Sequence, residues 1–122
     1  MLVVEPNKLP YEKVIPNRLQ DKQDLVGGLI EYTRIDGDED SLLICNEEGK
    51  ILGLEWNREI GNDDVIAGTF FIVGDNPDIG EDRSLTDEQI EKYKNRFNEK
   101  SIEKTEMILL KHVLKNKNDY EL

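Results

Sequence analysis

The strongest strand signal in this chain is Ile66-Ala67-Gly68-Thr69-Phe70-Phe71-Ile72-Val73-Gly74. Its centre, Phe70–Val73, consists of four consecutive large apolar residues, which are too apolar to face water. We therefore predict one buried strand over Ile66–Gly74. A loop rich in Asp, Gly and Pro is predicted to follow it over Asp75–Asp82.

The strands before this one are shorter. Ser41–Cys45 is a nearly continuous apolar run, which predicts a central strand covered on both faces. A tight, Gly-containing turn over Asn46–Lys50 then leads into Ile51–Leu54, so these segments predict a hairpin. Three further strands are predicted near the N-terminus: Leu2–Glu5 and Tyr11–Ile15, which form a hairpin, and Leu29–Ile35.

Two helices carry clear end signals. A short helix is predicted over Leu19–Val26, because Gly27–Gly28 follows it and glycine accepts the positive φ found just past a helix end. A later helix begins after Thr86, whose side chain lies three residues before Gln89 at the capping-box spacing. Its core-facing stripe consists of Ile90, Tyr93 and Phe97, and Leu85 is positioned to form a hydrophobic staple with Ile90.

A terminal helix is predicted from Ser101 to about Lys115, followed by a frayed polar tail over Asn116–Leu122. Its apolar residues cover more than half of its circumference, so this surface must be buried on the chain's own sheet or against another subunit. We predict that the chain forms a homo-oligomer through this helix. The predicted interface residues are Ile102, Met107, Leu110, Val113 and Leu114.

These elements predict an α+β fold. Its sheet is small and mostly antiparallel, with about five to six strands, a short N-terminal helix and one or two C-terminal helices. Residues 1–98 form the predicted α+β domain, and residues 99–122 form a helical extension with a polar tail.

The chain is strongly acidic, with 27 acidic and 16 basic residues and a formal net charge of −11. Such a charge repels phosphate backbones and anionic lipid surfaces, so neither direct nucleic-acid binding nor membrane binding is expected. It would steer the protein toward a basic protein surface, unless the acidity serves only solubility. A cytoplasmic location is expected, because no signal peptide or membrane-spanning run is present.

Catalytic and metal-binding residues are scarce, so we predict no enzymatic activity, no cofactor and no metal. The single cysteine, Cys45, follows an apolar run and precedes acidic residues, which disfavours a reactive thiolate, and His112 is the only histidine. Asp36, Asp38 and Asp40 alternate as in a calcium-binding loop. Serine, however, occupies the position where that loop requires glycine, so an acidic hairpin turn is expected.

Two sets of residues are candidates for binding a partner or ligand. Trp56, Asn57 and Arg58 lie in Leu54–Asn62, which has no clear periodicity, and Trp and Arg are the residue types of interface anchors. The alternative is that Trp56 only caps the core. Arg34 and Arg83, together with Arg58, could instead surround a nucleotide.

Five separate segments resemble a known family. They are Leu2-Val3-Val4-Glu5-Pro6; Leu25-Val26-Gly27-Gly28-Leu29-Ile30-Glu31; Cys45-Asn46-Glu47-Glu48-Gly49-Lys50 with Leu52 and Asn57-Arg58; Ile66 to Gly74; and Ser84-Leu85-Thr86-Asp87-Glu88. Together they are similar to the domain-of-unknown-function family numbered 3846, over residues 1–97. The resemblance implies a setting in bacteria, phages or mobile elements, where small accessory proteins often antagonise host machinery. It implies no catalytic residue.

We therefore predict a small accessory protein of phage or mobile-element origin that binds a macromolecular partner, such as a host-defence or DNA-handling protein. Two alternatives remain open. The protein could sequester a small ligand or nucleotide. It could also be a DNA mimic, with carboxylates in Asp36–Glu48 and Gly61–Glu91 standing in for phosphates.

Overall fold

The computed structural model of the chain describes residues 1–76 and 81–120. Its elements are, in chain order, β1 (Leu2–Val4), β2 (Tyr11–Glu12), α1 (Leu19–Val26), β3 (Ile30–Thr33), β4 (Ser41–Asn46), β5 (Trp56–Glu59), β6 (Val65–Ala67), β7 (Phe70–Asn76), β8 (Glu81–Arg83), α2 (Asp87–Arg96) and α3 (Glu99–Tyr120). The main sheet has the order β2-β1-β7-β4-β3, with β8 also paired to β7, and β5 and β6 form a separate two-stranded sheet. These pairings are antiparallel, so the predicted α+β class is confirmed.

The main sheet has an apolar core on each face, because side chains alternate along its central strands. Phe70 and Ile72 of β7 point to one face, and Phe71 and Val73 point to the other. The first face packs against α2 and the β5–β6 sheet. The second face packs against α1 through Val26. Ser41–Asn46 lies between β3 and β7, which confirms the predicted central strand.

The prediction of a single strand over Ile66–Gly74 was wrong. Gly68 has a φ of +90°, which ends β6 at Ala67, and β7 begins at Phe70. The predicted loop over Asp75–Asp82 was also wrong in part. Strand β7 continues to Asn76 and pairs with Glu81–Arg83, while positions 77–80 lie outside the described residues.

The predicted hairpin strand over Ile51–Leu54 does not form. Leu52 donates its N–H to the carbonyl of Glu48, and Leu54 donates to the carbonyl of Gly49, so the chain coils here instead of extending. Ile51 is consequently 86% exposed. The strand follows this coil at Trp56–Glu59, inside the stretch that was expected to be irregular.

The signals at the helix ends were read correctly. Helix α1 spans Leu19–Val26 and ends at Gly27, which is left-handed with a φ of 78°. Helix α2 begins with the predicted capping box, in which the Thr86 hydroxyl accepts from the Gln89 N–H and the Gln89 side chain accepts from the Thr86 N–H. Tyr93 and Phe97 lie fully in the core.

The terminal helix α3 is longer than predicted, because it begins at Glu99 and its backbone remains helical to Tyr120. The expected frayed tail over Asn116–Leu122 is therefore wrong for residues 116–120, and residues 121–122 lie outside the described part. Ser101 and Thr105 are buried against the domain. No helix among the described residues is long and apolar enough to cross a membrane.

Candidate functional site

A groove of about 460 Å³ lies between α3 and the β5–β6 sheet. Four apolar side chains line it: Trp56, Val65, Ile108 and Leu109. The remaining lining residues are polar and include Lys50, Asp63, Asp64, Lys111, His112 and Lys115. We call this surface the Trp56 groove. Trp56 is 45% exposed although it belongs to a strand, so it does not simply cap the core.

The first two turns of α3 are fixed to the domain, and the groove lies beyond them. The Thr105 hydroxyl accepts a hydrogen bond of 2.9 Å from the Glu59 N–H of β5, and Thr105 is 3% exposed. From Glu106 to Lys115 the residues of α3 are half-buried or exposed. The space between α3 and the β5–β6 sheet is therefore lined by Ile108 and Leu109, but these two side chains do not fill it.

A buried carboxylate fixes the position of α3. Glu59 is 3% exposed and forms ion pairs of 2.8 Å with Arg96 of α2 and 2.9 Å with Lys104 of α3. Burial by itself raises the pKa of Glu59, but the two cations outweigh it and hold that pKa below its usual value. Arg96 also pairs with Asp36 at 2.7 Å, so one network joins both C-terminal helices to β5 and to the turn after β3.

The rim of the Trp56 groove is more basic than the rest of this acidic chain. Lys50 is paired with Asp64 at 2.9 Å. Lys111, His112 and Lys115 are exposed along the helix side of the groove. No acidic residue occurs from Met107 to Asn118, whereas the chain as a whole has a net charge of −11.

Two of the predicted binding residues are inside the protein. Asn57 is 4% exposed and donates to the carbonyls of Val4 and Gly68. Arg58 is fully buried and donates to the Asn57 side chain and to the carbonyls of Lys8 and Phe97. The expectation that Asn57 and Arg58 face a partner is therefore corrected, since both side chains hold the interior together.

The other predicted arginines do not form a cleft with them. Arg34 donates hydrogen bonds to the carbonyls of Glu39 and Ser41 and forms an ion pair of 2.9 Å with Asp75. These contacts stabilise the turn between β3 and β4. The side chain of Arg83 lies outside the described part of the structure. Of the partner-binding candidates whose side chains the structure describes, Trp56 lines the groove and Arg34, Asn57 and Arg58 do not.

Cys45 and His112 occupy separate places. Cys45 is buried in β4, and that burial, reinforced by the negative charge of Glu31, raises the pKa of its thiol to about 12. His112 is exposed on α3 and lines the Trp56 groove, which Cys45 does not. The geometry therefore does not assemble a thiolate and its base from these two residues.

The acidic turn after β3 is neutralised by α2. Asp38 accepts hydrogen bonds from Lys92, from the Tyr93 hydroxyl at 2.5 Å and from the Asp40 N–H at 2.9 Å. These contacts, the one to Lys92 foremost, lower the pKa of Asp38 to about 2. Among the described residues, no group of three or more His, Cys, Asp or Glu side chains could hold a metal ion.

The contacts of Asp38 in this turn predict that the free energy of unfolding decreases in acid. The pKa of Asp38 falls from 3.8 to about 2 on folding, so its stabilising contribution is complete above pH 3.8 and is lost as the pH falls toward 2. We expect denaturant midpoints to decrease over this window and Asp38→Asn to flatten that decrease. Glu91→Gln, at an exposed position of α2, is the control. An unchanged acid slope in Asp38→Asn would contradict the assignment.

Sequence reasoning missed Val65, Ile108 and Leu109 as groove residues. Val65 lies just before the strand predicted over Ile66–Gly74, and Ile108 and Leu109 belong to the apolar surface predicted for the terminal helix without being distinguished from its other apolar residues. The useful signal was the width of the apolar surface on α3, which exceeds what one sheet can cover.

Comparison with known proteins identifies a family. No curated protein matches the chain, and no solved structure matches it. A family model covers residues 1–98, which include all of the main sheet, the β5–β6 sheet and α2 but not α3. On this match, the chain belongs to the family described as Domain of unknown function (DUF3846).

Proposed function

We propose that this protein is a non-enzymatic accessory protein that acts in the cytoplasm by binding a protein partner at the Trp56 groove. The setting that we propose is a phage or mobile element, and the partner class is a host-defence or DNA-handling protein.

The observation that carries the proposal is the half-exposed Trp56, which lines an open groove together with Val65, Ile108 and Leu109. Tryptophan is the residue type most enriched among the side chains that dominate protein–protein binding energy. A groove of this kind suits a partner that inserts an apolar side chain or the apolar face of a helix.

Electrostatics support a protein partner over other macromolecules. The net charge of −11 opposes approach to nucleic acid and to anionic lipid at long range. Within the groove, Lys111 and Lys115 on one side and Asp63 on the other can pair with polar groups around the inserted apolar anchor.

The test is recovery of a partner that depends on Trp56. We expect tagged wild-type protein to recover a stoichiometric protein from its host, and Trp56→Ala to weaken the affinity of the purified pair at least about tenfold. Tyr32→Ala is the matched control, because Tyr32 is an aromatic residue of similar exposure, 46%, that does not line the groove. Recovery of no stoichiometric partner, or equal affinity in both variants, would refute the proposal.

The two alternatives have less support. A nucleotide site built from arginines lacks Arg58, which is buried, and Arg34, which already binds Asp75. A DNA mimic needs free carboxylates, whereas Asp36 and Asp38 are engaged by Arg96 and Lys92. Thermal shift with nucleotides tests the first alternative, and salt dependence of the inhibition of a DNA-binding protein tests the second.

A further inference from the structure

Strand β3 forms one edge of the main sheet. It lies at the end of the order β2-β1-β7-β4-β3, and in the part of the chain that the structure describes no strand pairs with its other side. Its residues Glu31 and Tyr32 are exposed, so a partner can reach this strand. The unpaired backbone groups of an accessible edge strand are a template for the addition of another strand.

The register of β3 shows which of its backbone groups are free. Glu47 donates its N–H to the carbonyl of Leu29, so these two residues form a hydrogen-bonded pair. In antiparallel strands such pairs alternate with pairs that are not hydrogen-bonded. The N–H and C=O groups of Ile30 and Tyr32 therefore point away from β4, toward the open edge. Together they can form four hydrogen bonds with an added antiparallel strand.

A cavity of about 290 Å³ borders β3 on one face of the sheet. Glu31 and Thr33 line it from β3, and the other charged residues of its lining are Glu47, Lys50 and Asp64. Lys50 is paired with Asp64 at 2.9 Å. Among the described residues no cation is paired with Glu31 or Glu47, so the cavity has a net negative charge.

We infer that the edge of β3 binds an extended, basic segment of a partner protein, which adds to the main sheet as a further antiparallel strand. The segment pairs through its backbone with Ile30 and Tyr32. Its residue opposite Glu31 then lies on the same face as Glu31, with the two Cβ atoms about 5 Å apart. A lysine or arginine at this position meets Glu31 at the border of the cavity. The net charge of −11 steers such a segment toward the protein.

A second copy of the chain is a less suitable occupant. Two β3 strands related by a two-fold axis use the free groups of both Ile30 and Tyr32 only when Ile30 pairs with the partner's Tyr32. This register sets Glu31 directly opposite the same residue of the other copy. Like charges at directly opposite positions destabilise a pair of strands, whereas a basic residue opposite Glu31 stabilises it.

Synthetic peptides test the surface and the sign of its charge. The probe is the capped peptide Thr-Val-Lys-Val-Thr, and its counterpart has glutamate in place of lysine. In a titration followed by amide resonances of the protein, we expect the signals of residues 30–33 to shift with the lysine peptide. The glutamate peptide should bind about tenfold more weakly. Glu31→Lys should remove this preference. Glu91→Lys, the same change of charge at an exposed position of α2, should retain it.

N-methylated peptides test whether binding is strand addition. The valine N–H groups face the carbonyls of Ile30 and Tyr32 in an added antiparallel strand, and the lysine N–H points away. We therefore expect N-methylation of the valines to abolish binding and N-methylation of the lysine to preserve it. The opposite pattern, or full binding by both modified peptides, would contradict antiparallel addition at this edge.

Two further results would overturn the inference. One is the absence of shifts at residues 30–33 with several millimolar lysine peptide, and the other is equal affinity for the lysine and glutamate peptides. The inference goes beyond the proposed function, because no residue of β3 lines the Trp56 groove. Trp56→Ala should bind the lysine peptide as the wild type does, so the two proposals fail separately.

Discussion

Arg58→Ala is expected to lower the free energy of unfolding by about 3–5 kcal/mol. Among the residues whose burial is described, Arg58 is the largest fully buried side chain, and its loss would leave a cavity. It would also leave the carbonyls of Lys8 and Phe97 and the side-chain oxygen of Asn57 without this donor. Each unsatisfied buried acceptor costs about 1–3 kcal/mol.

One effect acts in the opposite direction. No ion pair joins Arg58 to a carboxylate within the described residues, and burial lowers the pKa of Arg58 to about 10, so removing the cation relieves some desolvation. We expect the lost hydrogen bonds and the cavity to outweigh this relief in Arg58→Ala. Arg58→Met fills most of the volume without donors and should lose less stability.

Urea denaturation at neutral pH measures these differences. Arg18→Met is the control, because Arg18 forms a surface ion pair with Asp21 and its side chain is 72% exposed. Such a pair contributes at most about 1 kcal/mol. If Arg58→Ala lost no more stability than Arg18→Met, Arg58 would not hold the interior together as described.

Phe97→Ala is the second substitution with a large expected effect, about 3–5 kcal/mol of unfolding free energy. Phe97 is fully buried where α2 ends, and its ring meets that of Phe70 edge-on with centroids 5.3 Å apart. Its carbonyl also accepts from Arg58. Truncation therefore opens a cavity between α2 and the main sheet beside the Arg58 contacts.

Thermal and urea unfolding of three variants would check this. Phe97→Leu retains most of the volume and should cost clearly less than Phe97→Ala, which separates the cavity from other effects. Tyr32→Ala, an aromatic truncation at a half-exposed position, should fall within about 1 kcal/mol of the wild type. Equal losses for the Phe97→Ala and Tyr32→Ala variants would contradict the packing of α2 described above.

Local signals were sufficient for the end of α1, for the start of α2 and for the central strands. The capping box at Thr86 and the left-handed Gly27 act through neighbouring atoms, so the sequence near each end contains what is needed to recognise it. The apolar runs around Ile44 and Phe71 are long enough to require cover on both faces, which predicted their central places in the sheet.

The failures occurred where local preference and long-range packing disagree. Ile51–Leu54 has the residues of a strand but coils, and the strand forms five residues later at Trp56. The break at Gly68 was equally hidden, because glycine tolerates both strand and left-handed geometry and the sequence does not say which one it adopts.

The sequence alone determined the α+β class, the acidity, the family, the end of α1 and the start of α2, because each depends on composition or on residues a few positions apart. Only the tertiary structure decided that Arg58 is interior and that Trp56 borders a groove. The physical reason is distance along the chain. Arg58 donates hydrogen bonds to the carbonyls of Lys8 and Phe97, which lie 50 and 39 residues away in the sequence. The groove depends on where Thr105 anchors α3 to Glu59, 46 residues earlier in the chain.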